Sequence, residues 1–491
     1  MKRYHARWVV PVTRPPIENG CVSVAPDGNI VYVGSTSAAP PGDDRDLGDC
    51  VLMPGIINAH THLELTSMRG FLEDLCFNDW IDKLRSSRKE ALTDEMLLDS
   101  ARFGIVEGLH AGITTYADTC STGLVMQAMI EMGVRGIMYQ ETFGSAPEQC
   151  EDSMNVLRAA ISRLLPLQTG LVRLGVSPHA PYTISDSLYA ASADLAREAG
   201  LPMGLHIAES VSEQQIVCDA AGPFADEWRL RGLTVVPRAR TPVALLEATG
   251  CLSNTTLLIH CVQLDSEDIE TIRRHGCSVA HCPASNAKFG HGIAPVADLL
   301  AKGVTVGLGS DSVASNNRMD ILEEARLAIL FQRAVKRTER ALTAQQALEL
   351  ATIGGARALG IDDKVGSLEV GKEADLAAFP LSAARATPVG DIVAAILFAV
   401  AGTPAQFVAV RGELRIVEGR LVVPDPALVQ RVVASANALA AWERTGTWRS
   451  ATSIDAGATD VSAAMNVAGS QQSSPAIPGD KLRLPHTLVI S

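Results

Sequence analysis

Residues 53–62 read MPGIINAHTH: a Pro-Gly breaker, a short apolar run, then two histidines one residue apart. Read as a strand, the segment points successive side chains to opposite faces, so His60 and His62 share one face at its C-terminal end. The pattern recurs. Further runs at 112–118, 134–143, 172–182, 202–210, 255–262, 278–286 and 304–312 each set a short β-branched or apolar stretch ahead of an Ala/Leu-rich amphipathic one, the signature of strand–helix units in a parallel sheet. Eight such units close most naturally into a (β/α)8 TIM barrel, an α/β fold predicted here over residues 53–360. Polar residues gather at the C-terminal ends of these runs, the face on which barrel enzymes carry their active sites.

On either side of the barrel the pattern changes. Residues 9–51 and 366–423 read as short strands broken by turns at 26–28, 371–372 and 411–412. They predict a small β-sandwich built from both chain ends, with bounds 1–52 and 361–424. Residues 425–448 have helical spacing, and the Ser/Ala/Gly-rich remainder, 449–491, has too little periodic apolar content to pack and is expected to be a disordered tail.

Composition narrows the function. Of 491 residues 47% are hydrophobic but only 4% aromatic, so the core must come from Ala, Val, Leu and Ile, as in packed α/β layers. A net charge of −13 argues against nucleic acid or an anionic membrane as partner, since both call for clustered Lys and Arg. A small-molecule substrate is the expectation, with a homo-oligomer the one association left open. The ten cysteines are scattered and include no Cys-x-x-Cys pair, which indicates neither a disulfide framework nor a thiolate zinc cluster and suits a reducing compartment. The longest apolar run, 392–401, is far short of the ~20 residues that a membrane span needs, and the expected location is cytoplasmic.

Paired imidazoles on one strand end make half a metal site. A catalytic zinc takes about three protein ligands and keeps an open position, so further ligands must arrive from other strands. His206 and Asp311, closing the fifth and eighth runs, are the candidates. Of the eleven histidines, His60, His62, His179, His206, His260 and His281 fall at or near predicted strand ends, whereas His5, His110, His275 and His486 scatter. For single residues other readings compete: Glu209 as a surface carboxylate, Asp311 as a helix N-cap before 319–333, His281 as a structural histidine partnered by Asn286, and Trp80 and Phe77 as core packing.

Several motifs in order then resemble a known family: PGIINAHTH (54–62), HAGITT (110–115), SPHAPY (177–182), HIAE (206–209), HCPASN (281–286), GSDS (309–312) and GSLEVGKEADL (366–376). Together they resemble the amidohydrolase superfamily, in the branch of S-adenosylhomocysteine and methylthioadenosine deaminases, aminodeoxyfutalosine deaminases and triazine chlorohydrolases. That resemblance implies a zinc-dependent hydrolase with one divalent ion per chain (Fe2+ or Mn2+ being alternatives to Zn2+) held by His60, His62, His206 and Asp311. It implies Glu209 as proton shuttle, His260 over the attacking water or departing group, and Asp311 as base as well as ligand. His179, Glu64, Trp80 and His281 are the expected substrate contacts. Two-metal members bridge their ions with a carboxylated lysine, and no lysine lies between Lys89 and Lys288. The segment 60–70 with FNDWI (77–81) looks most like aminodeoxyfutalosine deaminases, which exchange the amino group of an adenine nucleoside for oxygen. The glutamate that meets the ribose diol in methylthioadenosine-type enzymes has no clear match, since Lys89 stands at that register with Glu90 beside it. Other purine, pterin or triazine deaminases and chlorohydrolases are alternatives, and a catalytically silent barrel scaffold is the rival of another class. The complete ligand set argues against that rival.

Overall fold

The computed structural model describes residues 1–446. The expected tail at 449–491, with the last residues of the helix expected at 425–448, lies outside the described residues; the helix itself runs Leu428–Glu443.

Eight parallel strands form the central sheet: β1 (Ile56–Thr61), β2 (Ile113–Cys120), β3 (Arg135–Thr142), β4 (Val172–Pro178), β5 (Met203–Ile207), β6 (Thr256–His260), β7 (Ser278–His281) and β8 (Thr305–Leu308). Each pairs with the next in chain order. With side chains filling the barrel on one face and helices covering the other, these strands are buried on both sides; every residue of β2 is buried. A bridge between Thr61 and Asp311 joins the first strand to the segment after the last and closes the ring. At this seam the Asp311 N–H donates to His60 O at 3.0 Å, and Thr61 Oγ1 donates to Asp311 O at 3.1 Å. Gly309 permits the approach, because a Cβ there would lie 2.8 Å from His60 Cβ.

The first expected run divides at Gly55. Cys50–Pro54 pairs antiparallel with Leu376–Pro380 in a second sheet, and only from Ile56 does the chain enter the barrel. A side chain at Gly55 would collide with Thr114, 2.2 Å from its Oγ1, so the crossing needs glycine. This second sheet has nine strands drawn from both ends of the described chain. Lys2–Val9 and Phe407–Val410 are separated in it by two strands, a distance of about 14 Å if the sheet were flat, yet the Tyr4 and Phe407 rings lie 4.9 Å apart. The sheet therefore folds over its own core, which contains Val22, Ile30, Leu52 and Leu376. Arg135, the first residue of β3 and only 3% exposed, docks this layer on the barrel by donating to both Asp375 oxygens at 2.9 Å and to Glu373 Oε2 at 2.6 Å. No helix among the described residues is long and apolar enough to cross a membrane.

Candidate metal centre

At the C-terminal mouth of the barrel, beside the seam, His60, His62 and His206 bring ring nitrogens together, and Asp311 joins His60 and His260 in an adjoining group. Their tautomers follow from their partners. His62 Nδ1–H donates to Thr119 O at 3.0 Å and His206 Nδ1–H to His179 O at 3.2 Å; carbonyls only accept, so each Nε2 carries a lone pair. Those two Nε2 atoms face each other at 3.4 Å. Asp311 Oδ1 lies 3.3 Å from His60 Nε2 and 3.5 Å from His62 Nε2. Lone pairs so close repel unless a cation lies between them. Two ligands each bound to one tetrahedral zinc ion would stand about 3.4 Å apart, so the spacing fits such an ion. His60 adds a second sign: it is buried, and apart from the Asp311 oxygen facing its Nε2 neither ring nitrogen has a partner among the described residues. Burial drives its pKa down to about 3 and that of His206 well below the usual value, keeping the imidazoles neutral as ligands must be.

Asp311 Oδ2 accepts from Ser285 Oγ at 2.6 Å and Ser315 Oγ at 2.9 Å, which turns Oδ1 toward the histidines. Backbone strain is concentrated here. Asp311, His260 and Ala208 have φ of 56°, 75° and 50°, left-handed values that non-glycine residues seldom adopt, each just where a strand ends and a side chain must be aimed.

Glu209 follows β5 and faces His260: its Oε1 is 3.6 Å from His260 Nε2, while His260 Nδ1–H donates to Asn286 Oδ1 at 2.9 Å. Burial, then Asp311 and Glu213, push the Glu209 carboxyl well above the usual range. Its backbone is fixed by Glu213, whose carboxylate accepts from Ala208 N at 2.7 Å and Glu209 N at 2.9 Å, while Ser210 Oγ caps Glu213 N at 3.2 Å. Ser210-x-x-Glu213 marks a helix start in the sequence, but the Glu213 carboxylate reaches past Ser210 to the two preceding amides, which that pattern does not foretell.

A cavity of about 580 Å3 opens onto the cluster. Of the four expected substrate contacts, His179, Glu64 and Trp80 line it. His179 has Nδ1 engaged by Thr183 Oγ1 at 2.9 Å, and Glu64 is held by Arg88 at 2.5 Å and Thr122 at 2.8 Å. Trp80 both packs and lines: its ring meets Phe289 at 5.1 Å, and it is 8% exposed. His281 is not brought to the cavity. It is buried behind the wall with both ring nitrogens unpartnered, and Asn286, its expected partner, serves His260 instead. Glu90 also points away, accepting from Trp442 Nε1 at 2.7 Å, whereas Lys89 lines the cavity. Two residues went unread in the sequence. Glu141, near the end of β3, joins His179 and His206, its carboxyl pushed up to about 8 by burial and by Glu64. His291, the one histidine left unassigned, faces Glu209 Oε1 at 3.6 Å.

Residues 51–414 match the model of the Amidohydrolase family. The chain is 32% identical over 426 residues to a 5-methylthioadenosine/S-adenosylhomocysteine deaminase of Moorella thermoacetica, across 85% of this chain and 94% of that protein. Among solved structures it is similar to an adenosine deaminase from Xanthomonas campestris with bound zinc, with a TM-score of 0.80 and 29% identity over 90% of this chain and 98% of that one. It is also similar to an atrazine chlorohydrolase from Arthrobacter aurescens complexed with zinc, with a TM-score of 0.76 and 25% identity over 89% and 100% of the two chains.

Proposed function

The chain belongs to the amidohydrolase family, and from that premise we propose that it is a hydrolytic deaminase of adenine-type nucleosides that works with one divalent ion, zinc first. The facing lone pairs of His62 and His206, 3.4 Å apart, carry this reading. His60, His62, His206 and Asp311 would hold the ion, which when bound makes hydroxide available near neutral pH. The chain supplies the rest. Glu209 collects the proton that the attacking water gives up and delivers it to a ring nitrogen, making the neighbouring carbon electrophilic. His260, oriented by Asn286, stands over the departing amino group. His179 meets the ring edge, with Nδ1 tied to Thr183 and Nε2 left for the substrate. The apolar wall of Phe77, Trp80 and Phe289 excludes water and takes the nucleoside's substituent.

Among substrates, methylthioadenosine and S-adenosylhomocysteine come first, because they are what the Moorella relative is named for. Aminodeoxyfutalosine, favoured by the 60–70 segment with FNDWI at 77–81, comes second. Ten free cysteines support a reducing, cytoplasmic setting. The test is ammonia release by the zinc-loaded protein from a panel of adenine nucleosides, aminopterins and aminotriazines. Turnover of a nucleoside to its 6-oxo product is expected. Release from triazines or pterins alone would move the substrate class, and no release from any would leave the silent scaffold as the better reading.

A further inference from the structure

His260 and His291 place their Nε2 atoms on the same oxygen, Glu209 Oε1, each at 3.6 Å. They are not equivalent. His260 gives its Nδ1 proton to Asn286 Oδ1, so its Nε2 offers a lone pair. Of these two rings, His291 is the one left to supply an N–H to that oxygen. Its side chain is 7% exposed, and its Nε2 has no other partner. The surroundings hold the ring in place. The His291 N–H donates to Asn286 O at 2.9 Å, its carbonyl accepts from Gln263 Nε2 at 2.7 Å, and its ring packs edge-on against Phe77 at 4.6 Å. Glu209 and His260 line the cavity and His291 does not; its ring packs against Phe77 and Phe289 of the cavity wall.

We propose that His291 is a positioning residue for Glu209: its Nε2–H donates to Oε1 and leaves the second carboxylate oxygen as the one that takes and delivers the proton. The pairing needs only a few tenths of an ångström of approach. Asn286 ties the arrangement together, since its side chain sets the tautomer of His260 and its backbone anchors His291. The role rests on the one assigned above to Glu209. The competing account makes His291 simply part of the aromatic packing with Phe77 and Phe289.

Two measurements on the zinc-loaded full chain decide between them. In 15N-histidine NMR, which needs no substrate, the His291 signal is identified by its absence from His291→Gln. An exchange-protected Nε2–H proton is expected on it, lost in Glu209→Ala; its absence from the unaltered protein, or its persistence in Glu209→Ala, overturns the proposal whatever the substrate proves to be. In turnover, His291→Phe keeps an aromatic ring but has no donor, and His291→Gln keeps a donor but no ring. With a substrate found in the panel above, His291→Phe should lower kcat about tenfold or more with KM little changed, and His291→Gln should stay within about threefold of the unaltered protein. The reverse order, or a rise in KM alone, makes the residue a packing element. If no substrate is found, the deaminase reading fails while the NMR result still judges His291.

Discussion

At the N-terminal end of β3, Arg135 meets Asp375 and Glu373 in a buried cluster where each charge has its partner. At the other end of the barrel, His60, His62, His206 and Asp311 crowd together with lone pairs facing one another and, apart from the Asp311 oxygen, no partner on either His60 ring nitrogen among the described residues. Both clusters bury several ionisable groups. One is satisfied within the chain and stabilises the contact between barrel and sheet; the other has lone pairs facing one another with no donor between them among the described residues. Unpaired buried polar groups cost free energy, so a cluster that keeps them marks a site shaped for a ligand. The division matches the barrel's two faces, one holding the fold together and one doing chemistry.

Substitutions can break that contrast. Asp311→Asn has the largest expected effect, because in the role proposed for it the change removes an anionic ligand and a base together: turnover should fall by at least ~10³-fold, and elemental analysis should find well under one ion per chain. Retention of a full equivalent of metal would show that Asp311 is no ligand. Arg135→Ala should do the opposite. Stranding Asp375 without its partner should cost about 3–5 kcal/mol in denaturant unfolding while the metal content stays at one per chain. Metal loss in that variant would mean that the two ends of the barrel are coupled.

Finer changes sharpen the comparison. Glu209→Gln keeps size but cannot accept a proton, so turnover should fall by at least ~10²-fold, about 2.7 kcal/mol, with metal retained. Activity within a few-fold of the unaltered protein, or loss of the ion, would shift the shuttle to His260 or Asp311. Ser315→Ala removes one of two hydroxyls on Asp311 Oδ2 and should weaken metal affinity about tenfold, measured by chelator competition. An unchanged affinity would show that Ser285 alone orients the carboxylate. The smallest effect is expected from ending the chain after residue 448: activity and melting temperature should be unchanged, because the removed stretch lacks the apolar periodicity that offsets chain ordering. The helix Leu428–Glu443, by contrast, braces the cavity-wall helix Phe77–Ala91 through Lys83–Glu443 at 2.5 Å and Trp442–Glu90 at 2.7 Å, so cutting into it should raise KM.

His60 and His62 were legible because period 2 in a strand puts them on one face whatever surrounds it, and His206, Glu209 and Asp311 because they end runs of the same kind. The same rule misplaced His281. A strand's last residue faces the mouth or the wall according to a register that its own four residues do not fix, and in β7 that register buries the ring away from the cavity. Asn286 could be seen as a histidine's partner, but which histidine depended on how the loop after β7 folds over β6. His291 was out of reach altogether, lying in a loop ten residues beyond its strand and meeting Glu209 only because two separate loops converge.

The eight-fold strand–helix repeat and the sheet from both chain ends could be read from the sequence alone, since they depend on local periodicity. Only the tertiary structure decided that the first run splits at Gly55, that the ring closes on Asp311 and Gly309, and which imidazole nitrogen faces which oxygen. Those outcomes rest on contacts between residues far apart in the chain, such as the Thr61–Asp311 hydrogen bond across 250 positions, and on close approaches that no local pattern records.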